Sequence, residues 1–491
     1  MIEDIDRRAR AFWNDTRGTI LPYVTAMLVV IIGLSVLALD GARYMSLQTQ
    51  LQNGADALAL AGAAELDRLP DSEPRAINAI NTLVTNTTLS GEAVSRNVRV
   101  SLIQFYSRLP ASDASPMTDG TPATEPTNAR FVWVTVQPVA LATILPASLF
   151  GGMNAVTTGA SAVAGFDQVV CDFTPMFVCN PFETAGMTYE QATRDLQYAV
   201  ADAAVRRRLI QLRQHGGEGR RYLPGDYGFL DSAMPGNDSA AVIDGIARVH
   251  PGTCFRQSSV NFRRGFVLSA REGFNVRFDV YTGSMVGRRQ DVEYRPSQNV
   301  RKGYVGGSNE NSCRAQPAVN WPIGSPPNQA TGFPLDRGWP FMRGRMGNGN
   351  WDFDTYWQVN HGAEGRDAPT INGEPANNSN PPSRYGVYRY EIEQGYIGDR
   401  SPGGEAGAPA CYSGDVVSDK PDRRVIQAAV VNCLSLNLDE DSQTNVPVAA
   451  FGKFFMTLPM AQTGSDIYVE TVGLVTPGDG TTDFEMVQLY R

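Results

Sequence analysis

The sequence predicts an α+β fold in which one long N-terminal helix precedes a mixed, β-rich and loop-rich part. Residues 20–39 carry no charge, and the helical pattern continues to residue 66. Beyond the helix, short apolar or alternating runs typical of strands are separated by turns, in a chain with 48 Gly and 31 Pro. All six cysteines lie after residue 170, and their even number favours disulfides.

The charge-free run is long enough to cross a membrane. At about 1.5 Å per residue, a 20-residue helix spans about 30 Å, the thickness of the hydrocarbon core. Four basic residues precede the run and one, Arg43, follows it closely, which predicts a cytoplasmic tail at residues 1–18; the four are Arg7, Arg8, Arg10 and Arg17. A cleaved signal is the alternative, but its apolar core would be shorter, with a cleavage site close behind. We therefore expect an uncleaved anchor.

The helix continues past the membrane as an amphipathic stripe of small and apolar residues. The spacing of three and four residues is that of one helical face. Small residues on such a face let another backbone approach closely. The predicted helix–helix contact set is Tyr44, Leu47, Leu51, Gly54, Ala55, Leu58, Ala61 and Gly62. The alternative is that this stripe packs on the globular part of the same chain.

The predicted domains follow from the elements that succeed the helix at residues 19–66. Residues 67–165 form a small α+β module, with a helix at 74–88, a loop at 109–128, and strands at 97–106, 131–136 and 155–163. Residues 166–491 form a second, cysteine-containing domain. Its predicted elements are helices at 188–214 and 239–249, an irregular stretch at 296–386, and strands at 387–393, 425–434 and 467–475.

Composition excludes some partners and favours an oxidising compartment. A net charge of −9 and a pI near 5.1 argue against a nucleic-acid partner. Six cysteines allow 15 pairings; the simplest is sequential, 171–179, 254–313 and 411–433, because short loops close most easily. The candidates are Cys171, Cys179, Cys254, Cys313, Cys411 and Cys433. Zinc is the alternative, but no CxxC occurs and no His follows a Cys at ligand spacing.

Motifs of catalysis and cofactor binding do not occur in the sequence. It has no GxSxG, HExxH or Walker A motif, and no GxGxxG followed by a helix. The three histidines, His215, His250 and His361, stand apart from Cys or Asp clusters. Asn348, Asn350, Asp352 and Asp354 alternate as in a calcium loop, but the turn Gly and the closing Glu are missing, which favours an exposed strand or turn. We therefore expect that the chain is not an enzyme and that it binds neither a cofactor nor a metal ion.

Arg17-Gly18 precede the apolar run, Asp40 and Arg43-Tyr44 follow it, and a small-residue tract occupies 51–64. Through these residues the N-terminal region resembles the TadE/TadG group of Tad (Flp) pilus-assembly proteins, and TadG most of all; residues 148–165, 224–231 and 422–433 match more weakly. The resemblance implies a pilin-like helix and module. Tyr23 stands where type IV pilins carry Glu, so processing at Gly18-Thr19 is not expected. The DxSxS motif of some relatives is absent, so their metal site is not carried over.

The leading hypothesis is a non-enzymatic, single-pass inner-membrane component of pilus assembly with its bulk in the periplasm. The resemblance implies pilin-like and other Tad assembly proteins as partners. The negative charge argues against nucleic acid, and we expect no small-molecule substrate. The first alternative is an adhesin or glycan-binding module, whose aromatic residues at 321–361 would stack on sugars. The second is an anchored hydrolase.

Overall fold

The computed structural model divides the described chain into two compact units, Met1–Asp167 with Met486–Arg491, and Gln168–Glu485. The predicted boundaries at 67–165 and 166–491 stay predictions, and residues 486–491 group with the first unit. The residues that the structure describes are 20–67, 71–82, 98–110, 112–144, 154–215, 220–231, 239–256, 259–263, 265–298, 303–305, 313–315, 332–338, 345–362, 365–396, 409–415, 422–439, 444–460, 465–475 and 483–490. The predicted tail at 1–18 lies outside them.

Helices and strands are interspersed along the described chain, with the longest helix first. The helices are α1 (Ile20–Ala63), α2 (Ser72–Thr82), α3 (Tyr189–Ala201), α4 (Ala203–Arg206), α5 (Ser239–Ala247), α6 (Ala270–Val276), α7 (Phe353–His361) and α8 (Arg384–Glu393). The strands are β1 (Val100–Arg108), β2 (Thr121–Pro122), β3 (Phe131–Val136), β4 (Val139–Ala142), β5 (Ala155–Thr158), β6 (Ser161–Cys171), β7 (Met176–Cys179), β8 (Ile210–Gln214), β9 (Asp226–Phe229), β10 (Cys254–Arg256), β11 (Gly303–Val305), β12 (Cys313–Ala315), β13 (Thr370–Ile371), β14 (Glu374–Pro375), β15 (Val425–Val431), β16 (Ala450–Met456), β17 (Ile467–Leu474) and β18 (Asp483–Leu489). An α+β fold with a long N-terminal helix is confirmed.

The first unit packs one face of α1 on an antiparallel sheet. The strands run in the order β6-β3-β1-β2, and β18 pairs with β6. Val132, Val134 and Val136 of β3 are buried in the cluster that includes the buried side chains of α1. Alternate residues of a strand point to the same side of the sheet, so these three valines form the surface on which the helix lies.

A short hairpin that the sequence analysis missed runs beside α1. β4 and β5 pair antiparallel, with Leu141 opposite Val156 and Ala142 opposite Ala155. The predicted single strand at 155–163 is therefore two strands, interrupted at residues 159–160. Leu141 and Val139 are buried in the same cluster as the helix. The hairpin therefore packs beside α1.

The second unit contains a closed six-stranded barrel in the order β15-β16-β17-β8-β9-β7. β15 with β7 and β8 with β9 pair in parallel, whereas the other neighbours are antiparallel. One apolar cluster takes residues from all six strands, for example Met176, Leu212 and Ile426. Residues from α3, α5 and α6 belong to the same cluster. The barrel and these helices therefore share one core.

Two predicted elements of the second unit are wrong in part, and the stretch at 296–386 that was predicted to be irregular contains helix α7. The helix predicted to reach residue 214 ends at Ala201, because Asp202 caps the short α4 and residues 210–214 form barrel strand β8. The strand predicted at 387–393 is helix α8, whose start is fixed by Ser383 Oγ accepting the Gly386 N–H at 3.0 Å.

All six cysteines form disulfides, but the sequential pairing is wrong. Cys171 pairs with Cys254, Cys179 with Cys433, and Cys313 with Cys411, across 83, 254 and 98 residues of sequence. The sheet explains the first pair, because Cys171 of β6 lies directly opposite Cys254 of β10. Strand pairing decides which cysteines meet, whereas loop-closure entropy in the unfolded chain only weakly favours short loops.

Candidate functional site

The first half of α1 presents apolar side chains outward. Between Tyr23 and Leu39 most large apolar side chains are more than half exposed. This is one helix long and apolar enough to cross a membrane, near the N-terminus of the described chain. Its length and surface fit a membrane anchor.

The second half of α1 is buried by the chain's own first unit. Leu47, Leu51, Ala55 and Leu58 of the predicted contact set are at most 1% exposed and belong to the sheet cluster. Of the remaining four predicted residues, Gly54 and Gly62 are buried, and Tyr44 and Ala61 are half-buried. The stripe therefore packs on the globular part of the same chain, the alternative considered from sequence. Contact with a second helix stays a prediction.

Two glycines allow this close packing. A Cβ at Gly62 would lie 2.6 Å from Ile80 Cδ1 and 3.5 Å from Val132 Cγ1. A Cβ at Gly54 would lie 3.1 Å from Val98 Cγ1. Carbon atoms pack at about 3.5–4.0 Å, so a methyl group at Gly62 displaces its neighbour. These glycines therefore serve packing within the chain.

Asp40 and Arg43 join the helix to the hairpin. The two carboxylate oxygens of Asp40 accept the backbone N–H of Ile144 at 2.9 and 3.0 Å. Arg43 donates to Asp40 at 3.3 Å and to the Ala142 carbonyl at 3.3 Å. Asp40 and Arg43, which carry part of the resemblance described above, thus hold the end of β4 beside residues 40–43 of α1.

A cluster of acidic residues surrounds Arg75 at the far end of α1. Arg75 contacts Glu65 at 2.5 Å, Asp67 at 2.7 Å and Asp71 at 3.3 Å. The hydrogen bond to Asp67 is the largest of the effects that raise the pKa of Arg75. Because Arg75 lies on α2, this cluster ties the two helices together, and sequence analysis did not detect it.

Each of the three histidines lies beside a carboxylate. Nδ1 of His215 is 3.2 Å from Asp226, Nδ1 of His250 is 3.2 Å from Glu293, and Nε2 of His361 is 2.8 Å from Glu391. His361 and Glu391 are completely buried, and His215 and Asp226 nearly so. These two pairs are therefore shielded from solvent, whereas His250 and Glu293 are partly exposed.

The carboxylate of Asp226 accepts hydrogen bonds from side chains and from the backbone. Burial alone would raise its pKa, but hydrogen bonds from His215, Arg345 and the Leu223 backbone lower the pKa overall. In the described part of the chain, no group of three His, Cys, Asp or Glu side chains forms a metal site.

The calcium-like segment and the aromatic stretch have structural roles where the structure describes them. Asp352 caps α7 by accepting the Thr355 N–H, and it also accepts from Asn378 at 3.0 Å. Trp351 and Trp357 are buried in an aromatic core, so they present no face to a glycan. Trp321 and Trp339 lie outside the described residues.

One family model matches the chain. It is described as Flp pilus-assembly TadE/G-like and matches residues 18–65, a range that contains all of α1. Neither a curated protein nor a solved structure matches the chain. The resemblance inferred from Asp40, Arg43-Tyr44 and the small-residue tract is confirmed over this segment. Residues 18–65 are thus similar to the TadE/G-like Flp pilus-assembly family.

Proposed function

We propose that the chain is a non-enzymatic, TadG-like component of Tad (Flp) pilus assembly that acts from the inner membrane through protein contacts. The observation that carries this proposal is the TadE/G-like match over residues 18–65. That segment is a helix whose first half is apolar and exposed and whose second half packs on the chain's own sheet. Such a helix suits an anchor that holds a folded head at the membrane surface.

The proposed topology has the N-terminus in the cytoplasm and both units in the periplasm. Four arginines precede the apolar run, and positive charge near a membrane span favours the cytoplasmic side. The three disulfides support the periplasm for the second unit, because disulfides persist in oxidising compartments.

Helix–helix contact remains part of the proposal, but the available surface differs from the predicted stripe. Six of the eight predicted residues are already buried by the first unit. A neighbouring helix would approach the flank that includes half-buried Tyr44, together with exposed Met45 and Thr49. Met45 is 70% exposed, an apolar side chain just beyond the membrane span.

In-cell photo-crosslinking tests the proposal. A photoreactive residue at Met45 or Thr49 should form adducts with pilin-like or other Tad assembly proteins in cells that make pili. The matched control is Thr121, which is exposed in the same unit but lies on β2. Adducts confined to unrelated membrane proteins at all three positions would contradict the proposal.

A further inference from the structure

The end of the β4–β5 hairpin is fixed where the apolar run of α1 stops. Asp40 directly follows Leu39, the last residue of the charge-free run, and its carboxylate holds the Ile144 N–H. Arg43 holds the Ala142 carbonyl one helical turn further on. Since α1 rises about 1.5 Å per residue, the backbone of Ile144 lies within a few ångströms of the level where the run ends.

The surface at this end of the hairpin is apolar and neutral. Ile144 is 54% exposed and Val156 is 43% exposed, and Ala142 and Ala155 are exposed beside them. The sequence has no Asp, Glu, Lys, Arg or His from 131 to 166, whereas 93 of its 491 residues (42 basic plus 51 acidic) are charged. Single exposed apolar residues are common, but a hairpin without any charge beside a membrane span is suited to the boundary between lipid headgroups and acyl chains.

We propose that the Ile144 end of this hairpin contacts the lipid headgroup region of the membrane that α1 spans. The inference rests on the membrane anchoring in the proposed function. We expect lipid to cover this surface because lipid surrounds the membrane-spanning part of α1 up to about Leu39. The hydrogen bonds of Asp40 hold the hairpin next to that point. The chain then touches the membrane at two places, which fixes the rotation of the helix and the orientation of the first unit.

Fluorescence quenching in vesicles tests this contact. The full-length oxidised protein carries no free cysteine, so one introduced thiol can be labelled with the fluorophore NBD. The variants are I144C and V156C, with V30C inside the apolar run and L102C as the control. Leu102 is 37% exposed on β1 and lies opposite Thr135, in the strand that packs near Gly62. It is therefore about 20 Å or more beyond Asp40 along the helix.

The vesicles contain phosphatidylcholine and phosphatidylglycerol with a lipid spin-labelled either near the headgroup or deep in the acyl chain. We expect the shallow quencher to reduce emission at 144 and 156 but not at 102, and the deep quencher to reduce emission at 30. Adding Asp40→Ala should reduce quenching at 144 and leave position 30 unchanged, because the Ile144 N–H loses its acceptor.

If the shallow quencher reduces emission at 144 and 156 no more than at 102, while the deep quencher reduces emission at 30, the hairpin contact is overturned and the anchor stands. Shielding of position 144 from both lipid quenchers and aqueous iodide would assign its surface to protein and also overturn the inference. Absence of quenching at position 30 would overturn the anchor, and with it the proposed function.

Discussion

Substitution of Gly62 by Ala tests the packing of α1 on its own unit. The added methyl would lie 2.6 Å from Cδ1 and 2.8 Å from Cγ1 of Ile80, which is completely buried. Overpacking costs about 1–3 kcal/mol, whereas replacing Gly by Ala inside a helix gains about 0.5–1 kcal/mol. Because Ile80 can adjust its flexible end, we expect a net loss of about 1 kcal/mol.

The sign of this effect should reverse when Ile80 is shortened. Ile80→Ala alone should cost about 2–5 kcal/mol as a buried large-to-small change. In that background the methyl group added by Gly62→Ala has no neighbouring atom nearer than Val132 Cγ1 at 3.5 Å, an ordinary contact, so the helix gain of about 0.5–1 kcal/mol remains. Gly41→Ala is the matched control, because nothing lies within 4 Å of its Cβ position.

Hydrogen exchange of the full-length oxidised protein in detergent measures these effects. The free energy of local opening is read from peptides that cover residues 47–62, since a chain with two units need not unfold in one step. If Gly62→Ala has the same sign in both backgrounds, or is as harmless as Gly41→Ala, the packing described for α1 is refuted.

Three further predictions concern the second unit and the N-terminus. Folding lowers the pKa of Asp226, so its stabilisation is present above the unfolded-state pKa of about 4 and is lost as the pH falls through the folded-state pKa. Asp226→Asn should therefore flatten the acid side of a plot of urea midpoint against pH, and an unchanged slope would refute this. Replacing Cys179 and Cys433 together by Ser should cost about 2–5 kcal/mol in urea unfolding, and unchanged stability would contradict that bridge. The intact mass from cell membranes should include residues 1–18, with six thiols labelled only after reduction; a mass that starts at Thr19 would show processing despite Tyr23.

Local signals in the sequence predicted the parts of the fold that depend on near neighbours. The charge-free run and the small-residue stripe place the helix at 19–66, close to the observed Ile20–Ala63. Strand β3 was predicted with its observed ends, because its valines alternate within six residues. The strand predicted at 387–393 is wrong because seven residues are too few to distinguish the two-residue period of a strand from the 3.6-residue period of a helix, and the Ser383 cap favours the helix.

Contacts between distant residues could not be read from the sequence. The Asp40–Ile144 bond joins residues 104 apart, and the His250–Glu293 pair joins residues 43 apart. The disulfide Cys179–Cys433 spans 254 residues because β7 and β15 pair in the barrel. Asp40 was marked by the resemblance alone; of the hairpin that it binds, only the strand beginning at residue 155 was predicted, and its partner β4 was missed.

The most direct test of the central claim is a filament count on cells that make Flp pili. The gene for this chain is deleted and restored, and surface filaments are counted by electron microscopy with pilin levels matched by immunoblot. We expect filaments to disappear on deletion and to return with the full-length chain, but not with residues 67–491 exported without the anchor. Normal filament numbers in the deletion strain would contradict the proposed role in pilus assembly.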